Sequence, residues 1–302
     1  MDIGMIGLGK MGANMASRLL KGGHRVVAFD IDEASIQAVE RSGAEGARTL
    51  NALIEELEAP RLVWVMVPSG KITDDTIKKA ADLLEPGDTV IDGGNSNYKD
   101  SIRRGKELSD RGIHFIDVGT SGGVWGLTEG YSLMIGGETE FVEKYRAIFE
   151  TLAPAPDKGW GHVGPAGSGH FVKMIHNGIE YGLMQAYAEG FEILRAKKDF
   201  DLSLSQIAKI WQDGSVVRSW LLDLTASALA EDENLSGIKA WVPDSGEGRW
   251  TVFEAIDLDV AAPIITLSLQ RRIRSREEEA FADKLLAAMR NKFGGHEVKL
   301  EK

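Results

Sequence analysis

The stretch IGMIGLGKMGANMASRLLK, residues 3–21, decides how the first half of this chain folds. Its apolar start, Ile3 to Ile6, reads as a short buried strand, and Ala13 to Lys21 reads as a helix. Between them Gly7-Leu8-Gly9-Lys10-Met11-Gly12 spells G-x-G-x-x-G, and in that context each glycine has a task. Gly7 permits a tight turn, Gly9 lets a pyrophosphate approach the backbone, Gly12 allows the helix to pack closely, and the helix N-terminus stabilises the anion. The next strand, Arg25 to Phe29, ends in Asp30, 18 residues after Gly12. A carboxylate there accepts hydrogen bonds from an adenosine ribose and repels a 2′-phosphate, so NAD is favoured over NADP.

Working outward, Leu62 to Val67 reads as a strand closed by Pro68-Ser69-Gly70. Thr89 to Asp92 is closed by Gly93-Gly94-Asn95-Ser96, and Ile113 to Asp117 by Gly119-Thr120-Ser121-Gly122-Gly123. Helical stretches at 34–41, 72–84 and 98–110 alternate with these strands, which is the pattern of a parallel doubly wound sheet. Ligands of such sheets bind at the C-terminal strand ends, so Leu8, Met11, Val67, Pro68 and Asn95 join Gly7, Gly9, Gly12 and Asp30 as candidate cofactor contacts. Leu133 to Ile135 and Trp160 to Val163 read as shorter strands, with a helix from Glu140 to Leu152 between them. Beyond Gly169 helical patterns dominate, at 169–196, 203–212, 216–230, 247–256, 261–275 and 276–292. Glu277-Glu278-Glu279 is expected as the exposed first turn of the last of these, and Phe293 to Lys302 as an extended arm. The expected fold is thus an α/β Rossmann-type doubly wound sheet, residues 1–163, followed by an all-α C-terminal domain, residues 164–302, for substrate and oligomerisation.

Composition narrows the function. The 302 residues suffice for two domains, and 35 Lys and Arg against 46 Asp and Glu give a net charge of -11, which repels phosphate polymers and argues against nucleic acid as a partner. The absence of cysteine removes disulfides, thiolate nucleophiles and cysteine-ligated metals. No metal-ligand cluster is expected from the spacing of His and carboxylates. Neither a signal peptide nor a membrane-length apolar run is read, so the expectation is a cytoplasmic protein without membrane contact.

A second stretch, GPAGSGHFVKMIHNGIEYGLMQ at 164–185, carries a Lys, a His, an Asn and a Glu at 173, 176, 177 and 180. A helix returns residues three, four and seven apart to nearly the same azimuth, so all four share a face, and Lys173 and Glu180 are separated by about 10 Å of rise. Such spacing ordinarily marks a solvated face. Here Phe171, Val172, Met174, Ile175, Ile179, Leu183 and Met184 cover most remaining azimuths, so the helix is read as buried, and buried Lys and Glu need partners or mark a site.

On these residues the chain resembles the 6-phosphogluconate dehydrogenases, the decarboxylating branch of the β-hydroxyacid dehydrogenases, along nearly its whole length. The motifs are GLGKMGANM at 7–15, DGGNS at 92–96, GTSGGVWG at 119–126, GSGHFVKMIHNGIEYG at 167–182, GSVVRSWLL at 214–222, GRWT at 248–251 and RNKFGGH at 290–296. The resemblance implies NAD-linked oxidative decarboxylation of 6-phosphogluconate to ribulose 5-phosphate, a step of the pentose phosphate pathway. It implies Lys173 as general base and acid and Glu180 as second proton donor. Asn95, Ser121, His176 and Asn177 would hold the substrate carboxylate and hydroxyls, with backbone groups of Gly122 and Gly123. Tyr181, Arg271, Arg290 and His296 would hold the phosphate. In the family the residues matching Arg290 and His296 reach the site from a neighbouring subunit, so a homodimer or homotetramer is expected.

Two departures stand out. Longer members carry a Lys and a Thr for the phosphate just before Gly-Lys-Trp, whereas this chain has Ser245 and Glu247 before Gly248-Arg249-Trp250, and an acid there would repel phosphate. Phe29-Asp30-Ile31 also replaces the Asn-Arg-Thr type of sequence suited to NADP. The rival is an NAD-dependent dehydrogenase of a small β-hydroxy acid without decarboxylation, which Ser245 and Glu247 favour and His176, Glu180, Arg271, Arg290 and His296 oppose.

Overall fold

The structure, a computed structural model, describes residues 1–299, with Phe293 described by its backbone alone. Leu300, Glu301 and Lys302, the end of the expected arm, lie outside the described residues. The strands are β1 (Asp2–Ile6), β2 (Arg25–Phe29), β3 (Glu45–Gly46), β4 (Leu62–Val65), β5 (Thr89–Asp92), β6 (His114–Ser121), β7 (Ser132–Gly137) and β8 (Trp160–Gly164). Between them run α1 (Lys10–Lys21), α2 (Glu33–Glu40), α3 (Leu50–Glu55), α4 (Lys71–Ala81), α5 (Tyr98–Ser109), α6 (Gly126–Glu129), α7 (Thr139–Lys144) and α8 (Arg146–Leu152). Then follow α9 (Ser168–Ala196), α10 (Leu204–Gln212), α11 (Trp220–Glu231), α12 (Glu247–Asp257), α13 (Pro263–Arg274) and α14 (Phe281–Gly294).

Among the described residues the strands form one sheet in the order β3-β2-β1-β4-β5-β6-β7-β8. The order reverses at β1, which pairs with both β2 and β4, so the crevice for a ligand opens past Ile6 and Val65. Side chains alternate across the sheet. Ile3, Met5, Leu62, Trp64, Ile91 and Ile116 pack on one face, and Ile6, Val63, Val65, Val90 and Phe115 on the other. Burial on both faces explains why these strands read as continuous apolar runs.

The sheet departs from the expected parallel pattern at β7, which runs antiparallel to β6. The cause is length: Gly122 to Tyr131 gives a connection of ten residues with only short helical turns, and a parallel return needs a crossover of about a dozen or more.

The chain divides by contacts into Met1–His176 and Asn177–Lys302. That division falls inside α9, whereas the sequence reading divides the chain before this helix. The second unit is helical among the described residues, with a core in which Phe191, Leu204, Ala208, Leu222 and Leu229 meet. Two helices start later than expected: the one read over 216–230 begins at Trp220, and the last is likewise late and runs on to Gly294, into the segment expected as an arm. The last helix begins at Phe281, and the acidic run precedes it, with Glu277 paired to Arg274 and Glu279 to Lys284. No helix among the described residues is long and apolar enough to cross a membrane.

Candidate active site

The glycine loop has the geometry its spacing requires. Gly7 has φ +94°, and a Cβ there would lie 2.4 Å from the carbonyl oxygen of Met66. A Cβ on Gly12 would lie 2.0 Å from the carbonyl oxygen of Gly7, so α1 can sit this close to the loop only as glycine. The Cβ position of Gly9 meets nothing within 4 Å, and Gly9 is the N-cap of α1 with no side-chain cap. The start of α1 is therefore uncovered at Gly9, and its first backbone N–H groups, which have no acceptor within the helix, are the kind of donors that bind anions.

Asp30 closes this loop from the second strand. Its Oδ2 accepts from the Leu8 N–H at 2.6 Å and its Oδ1 from the Asp32 N–H at 2.9 Å. An ionised carboxylate has about four acceptor sites, so capacity for ribose hydroxyls remains. Met11 is half-buried against the core, Val67 is half-buried, and Pro68 is exposed at the end of the β4 segment.

The loop after β5 stands on a buried ionic network. Asp92 accepts from Ser96 Oγ at 2.8 Å, from Arg104 Nη1 at 2.9 Å and from the Gly94 N–H at 3.1 Å. Arg104, 2% exposed, also donates to Asp74 at 2.7 Å, as does Arg103 at 2.8 Å. Burial works against the charge on Asp74, but the two guanidinium groups overcome it and hold the carboxyl below its usual range. Asn95 sits exposed at the tip of the loop so fixed.

The third loop, Ser121-Gly122-Gly123, has φ +142° and +52° at its glycines and rests on Tyr131. Beside it the start of α9 lies on β6 and β7 through glycine contacts. A Cβ on Gly169 would lie 2.5 Å from the carbonyl oxygens of Asp117 and Met134, and one on Gly119 would lie 2.3 Å from Cβ of Lys173. This contact buries Lys173 to 7% exposure, two residues along β6 from Ser121. Lys173 Nζ is 3.5 Å from His176 Nδ1.

Asn177 and Glu180 follow on α9, both half-buried, and Tyr181 is buried, but the helix is not buried all round as expected, since Val172, Ile179, Leu183 and Met184 are exposed. In this second unit Tyr181 Oη accepts from the Ser245 N–H at 3.3 Å, and a Cβ on Gly248 would lie 2.3 Å from the ring. The guanidinium of Arg272 stacks on the ring with its carbon 3.4 Å from the centroid. Sequence reasoning missed Arg272. Arg271 and Arg272 differ by about 100° around α13, and nothing in the local pattern says which turns toward Tyr181. Arg271, Arg290 and His296 lie exposed, on α13, on α14 and just past the C-cap Gly295.

Glu247 does not stand free in this unit. It is 2% exposed, opens α12, and accepts from Ser245 Oγ at 2.5 Å. Asp244 is gripped by Arg249 at 3.0 Å and Arg276 at 3.3 Å, and Arg249 above all holds its carboxyl below the usual range.

A glycine loop ahead of a helix N-terminus, an acid ending the second strand, and small-residue loops at neighbouring strand ends define a dinucleotide-binding protein of the Rossmann class. Comparison narrows this. Residues 2–163 match the model of the NAD binding domain of 6-phosphogluconate dehydrogenase, and residues 169–284 match the 6-phosphogluconate dehydrogenase C-terminal domain. The chain belongs to the 6-phosphogluconate dehydrogenase family. It is 46% identical over 296 residues to YqeC of Bacillus subtilis, which carries that name provisionally, with 98% of each chain covered. It is 42% identical over 299 residues to the NAD(+)-dependent, decarboxylating 6-phosphogluconate dehydrogenase of Haloferax volcanii, covering 99% of this chain and 98% of that one. Among solved structures, the Plasmodium falciparum 6-phosphogluconate dehydrogenase aligns with a TM-score of 0.84 at 28% identity, over 100% of this chain and 66% of that longer one.

Proposed function

We propose that the protein oxidises 6-phosphogluconate at C3 with NAD and decarboxylates the product to ribulose 5-phosphate, the pentose phosphate step. The observation that carries this reading is Lys173, buried on Gly119 near the strand end at Ser121, 3.5 Å from His176, and followed on the same helix by Asn177 and Glu180. NAD fits the residues present: Gly9 leaves room for a pyrophosphate at the N-terminus of α1, and Asp30 retains acceptor capacity while opposing a 2′-phosphate.

NAD, when bound, would supply the acceptor for the hydride that leaves C3. The chain's own residues move the protons. Lys173, with its amine neutral as substrate arrives, takes the C3 hydroxyl proton. The 3-keto acid so formed is a β-keto acid, which loses carbon dioxide when its carbonyl oxygen is protonated, and Lys173, now an ammonium, is the acid. The resulting enediol becomes the ketone by gaining a proton at what becomes C1 of the product, which Glu180, about 10 Å further along the helix, supplies. It also loses its C2 hydroxyl proton, which Lys173, neutral again after the preceding step, takes back. Asn95, Ser121, His176 and Asn177 orient the carboxylate and hydroxyls, with backbone groups of Gly122 and Gly123.

For the phosphate we assign Tyr181, Arg271, Arg290 and His296, with Arg272 added because its cation is fixed over the Tyr181 ring. Glu247, buried on Ser245, opposes this less than its sequence position suggests. The second unit exposes Ile179, Leu183, Phe253, Ile256, Ile264 and Leu267, and a homodimer or homotetramer would cover such apolar surface.

The test is to mix the protein with 6-phosphogluconate and NAD or NADP while following both reduced cofactor and released carbon dioxide. Reduction of NAD with equal release of carbon dioxide is expected. Reduction without release would replace this reading by a non-decarboxylating one, and a preference for NADP would remove the role given to Asp30.

A further inference from the structure

We infer that Asp117 is a positioning residue for Lys173, an inference that rests on Lys173 being the acid–base group proposed above. Asp117 lies in β6 and is 0% exposed. A carboxylate taken wholly out of water must be satisfied by nearby donors. Its ladder partner in β5, Asp92, is engaged by Arg104, whereas Asp117 is held by backbone. Oδ1 accepts from the Gly167 N–H at 2.6 Å and Oδ2 from the His170 N–H at 2.8 Å. These groups flank the first turn of α9, whose N–H groups have no partner within the helix. A strand side chain therefore caps the helix that carries Lys173, one turn ahead of it.

The same strand face does a second thing. Residues two apart on a strand point the same way, so Asp117 and Gly119 both face α9. Asp117 binds its first turn, and Gly119 leaves the space that Cβ of Lys173 occupies. The His170 ring, 1% exposed, extends the clamp to α5: its Nδ1 is 2.7 Å from Ser101 Oγ and 3.8 Å from Asp117 Oδ2. The axial height and rotation of α9 at Lys173 are thus fixed from β6 and from α5.

In Asp117→Asn the amide has one acceptor oxygen and sets its NH2 against a backbone N–H, so the helix start must move. A displacement of about 1 Å at a reacting group costs on the order of 100-fold. Measured on the full chain, Asp117→Asn should lower kcat about ten- to hundredfold while KM and Kd for NAD stay within about twofold. Ser101→Ala should shift kcat the same way, less strongly, and it decides the matter if Asp117→Asn does not fold. A structural role alone would remove NAD binding and kcat in parallel, and that result overturns the inference, as does wild-type kcat in both variants. Lys173→Ala separates the two claims: if it retains turnover, the assignment of Lys173 falls first. If it abolishes turnover while Asp117→Asn and Ser101→Ala turn over normally, only the positioning role falls.

Discussion

Gly119 and Lys173 are in contact so close that a Cβ on the glycine would lie 2.3 Å from Cβ of the lysine and 2.7 Å from the carbonyl oxygen of Gly169. Neither neighbour can yield cheaply, since one is the root of a buried side chain and the other is helix backbone. Gly119→Ala should therefore push α9 off β6. We expect kcat for 6-phosphogluconate to fall at least about tenfold, with NAD affinity nearly unchanged because the glycine loop is remote in the sheet order. Steady-state kinetics beside a direct NAD titration checks this, and an unchanged kcat would show that Lys173 need not sit where this contact puts it.

Much of this arrangement was legible because it is local. The alternation of buried runs with helical stretches marks the sheet, and the G-x-G-x-x-G marks its functional end. The polar face of α9 is visible because helical periodicity is a property of neighbours in sequence. What escaped is set by distant residues. Asp117 caps α9 across 50 and 53 residues, and no spacing rule connects a strand acid to a helix start that far away. Arg272 rather than Arg271 meets Tyr181 because of how α13 is rotated, which neighbouring arginines cannot reveal. The reversal at β7 did leave a signal, in a connection too short for a parallel return.

Asp30 has two loads, the Leu8 N–H in this structure and the ribose in the proposed complex. Asp30→Ala removes both and the repulsion of a 2′-phosphate. The ratio of kcat/KM for NAD to that for NADP should fall by about tenfold or more, since a hydrogen bond to a charged group is worth about 1.5–3 kcal/mol. Initial rates with each nucleotide measure it. An unaltered ratio would place nucleotide selection elsewhere in the loop.

Arg272, stacked on Tyr181, is a planar cation already oriented, which suits bidentate recognition of a phosphate better than a mobile one. We expect Arg272→Ala to raise KM for 6-phosphogluconate at least about tenfold and Arg272→Lys to recover little of it, because the stack is lost. Arg271→Ala, at an exposed position, should cost less. The reverse order of effects would return the phosphate to Arg271.

Tyr131 gives a prediction in the alkaline range. It is 0% exposed and props the Ser121-Gly122-Gly123 loop, with a Cβ on Gly126 falling 2.0 Å from the ring. Burial pushes its phenol up to about 12, against the opposing pull of the Arg18 charge and the Asn14 side chain. A free phenol titrates near about 10. The folded value is the higher one, so the folded state holds the proton longer. Its contribution to stability is full below about pH 10 and is lost as pH rises toward about 12. Between about pH 9 and pH 11.5 this amounts to about 2 kcal/mol, from about 1.4 kcal/mol per unit. Tyr131→Phe keeps the ring and removes the proton, so its unfolding free energy should decline less steeply with pH than that of the wild type. Urea unfolding of both proteins across that range measures the difference, and parallel curves would mean that the phenol ionises without resistance from the fold.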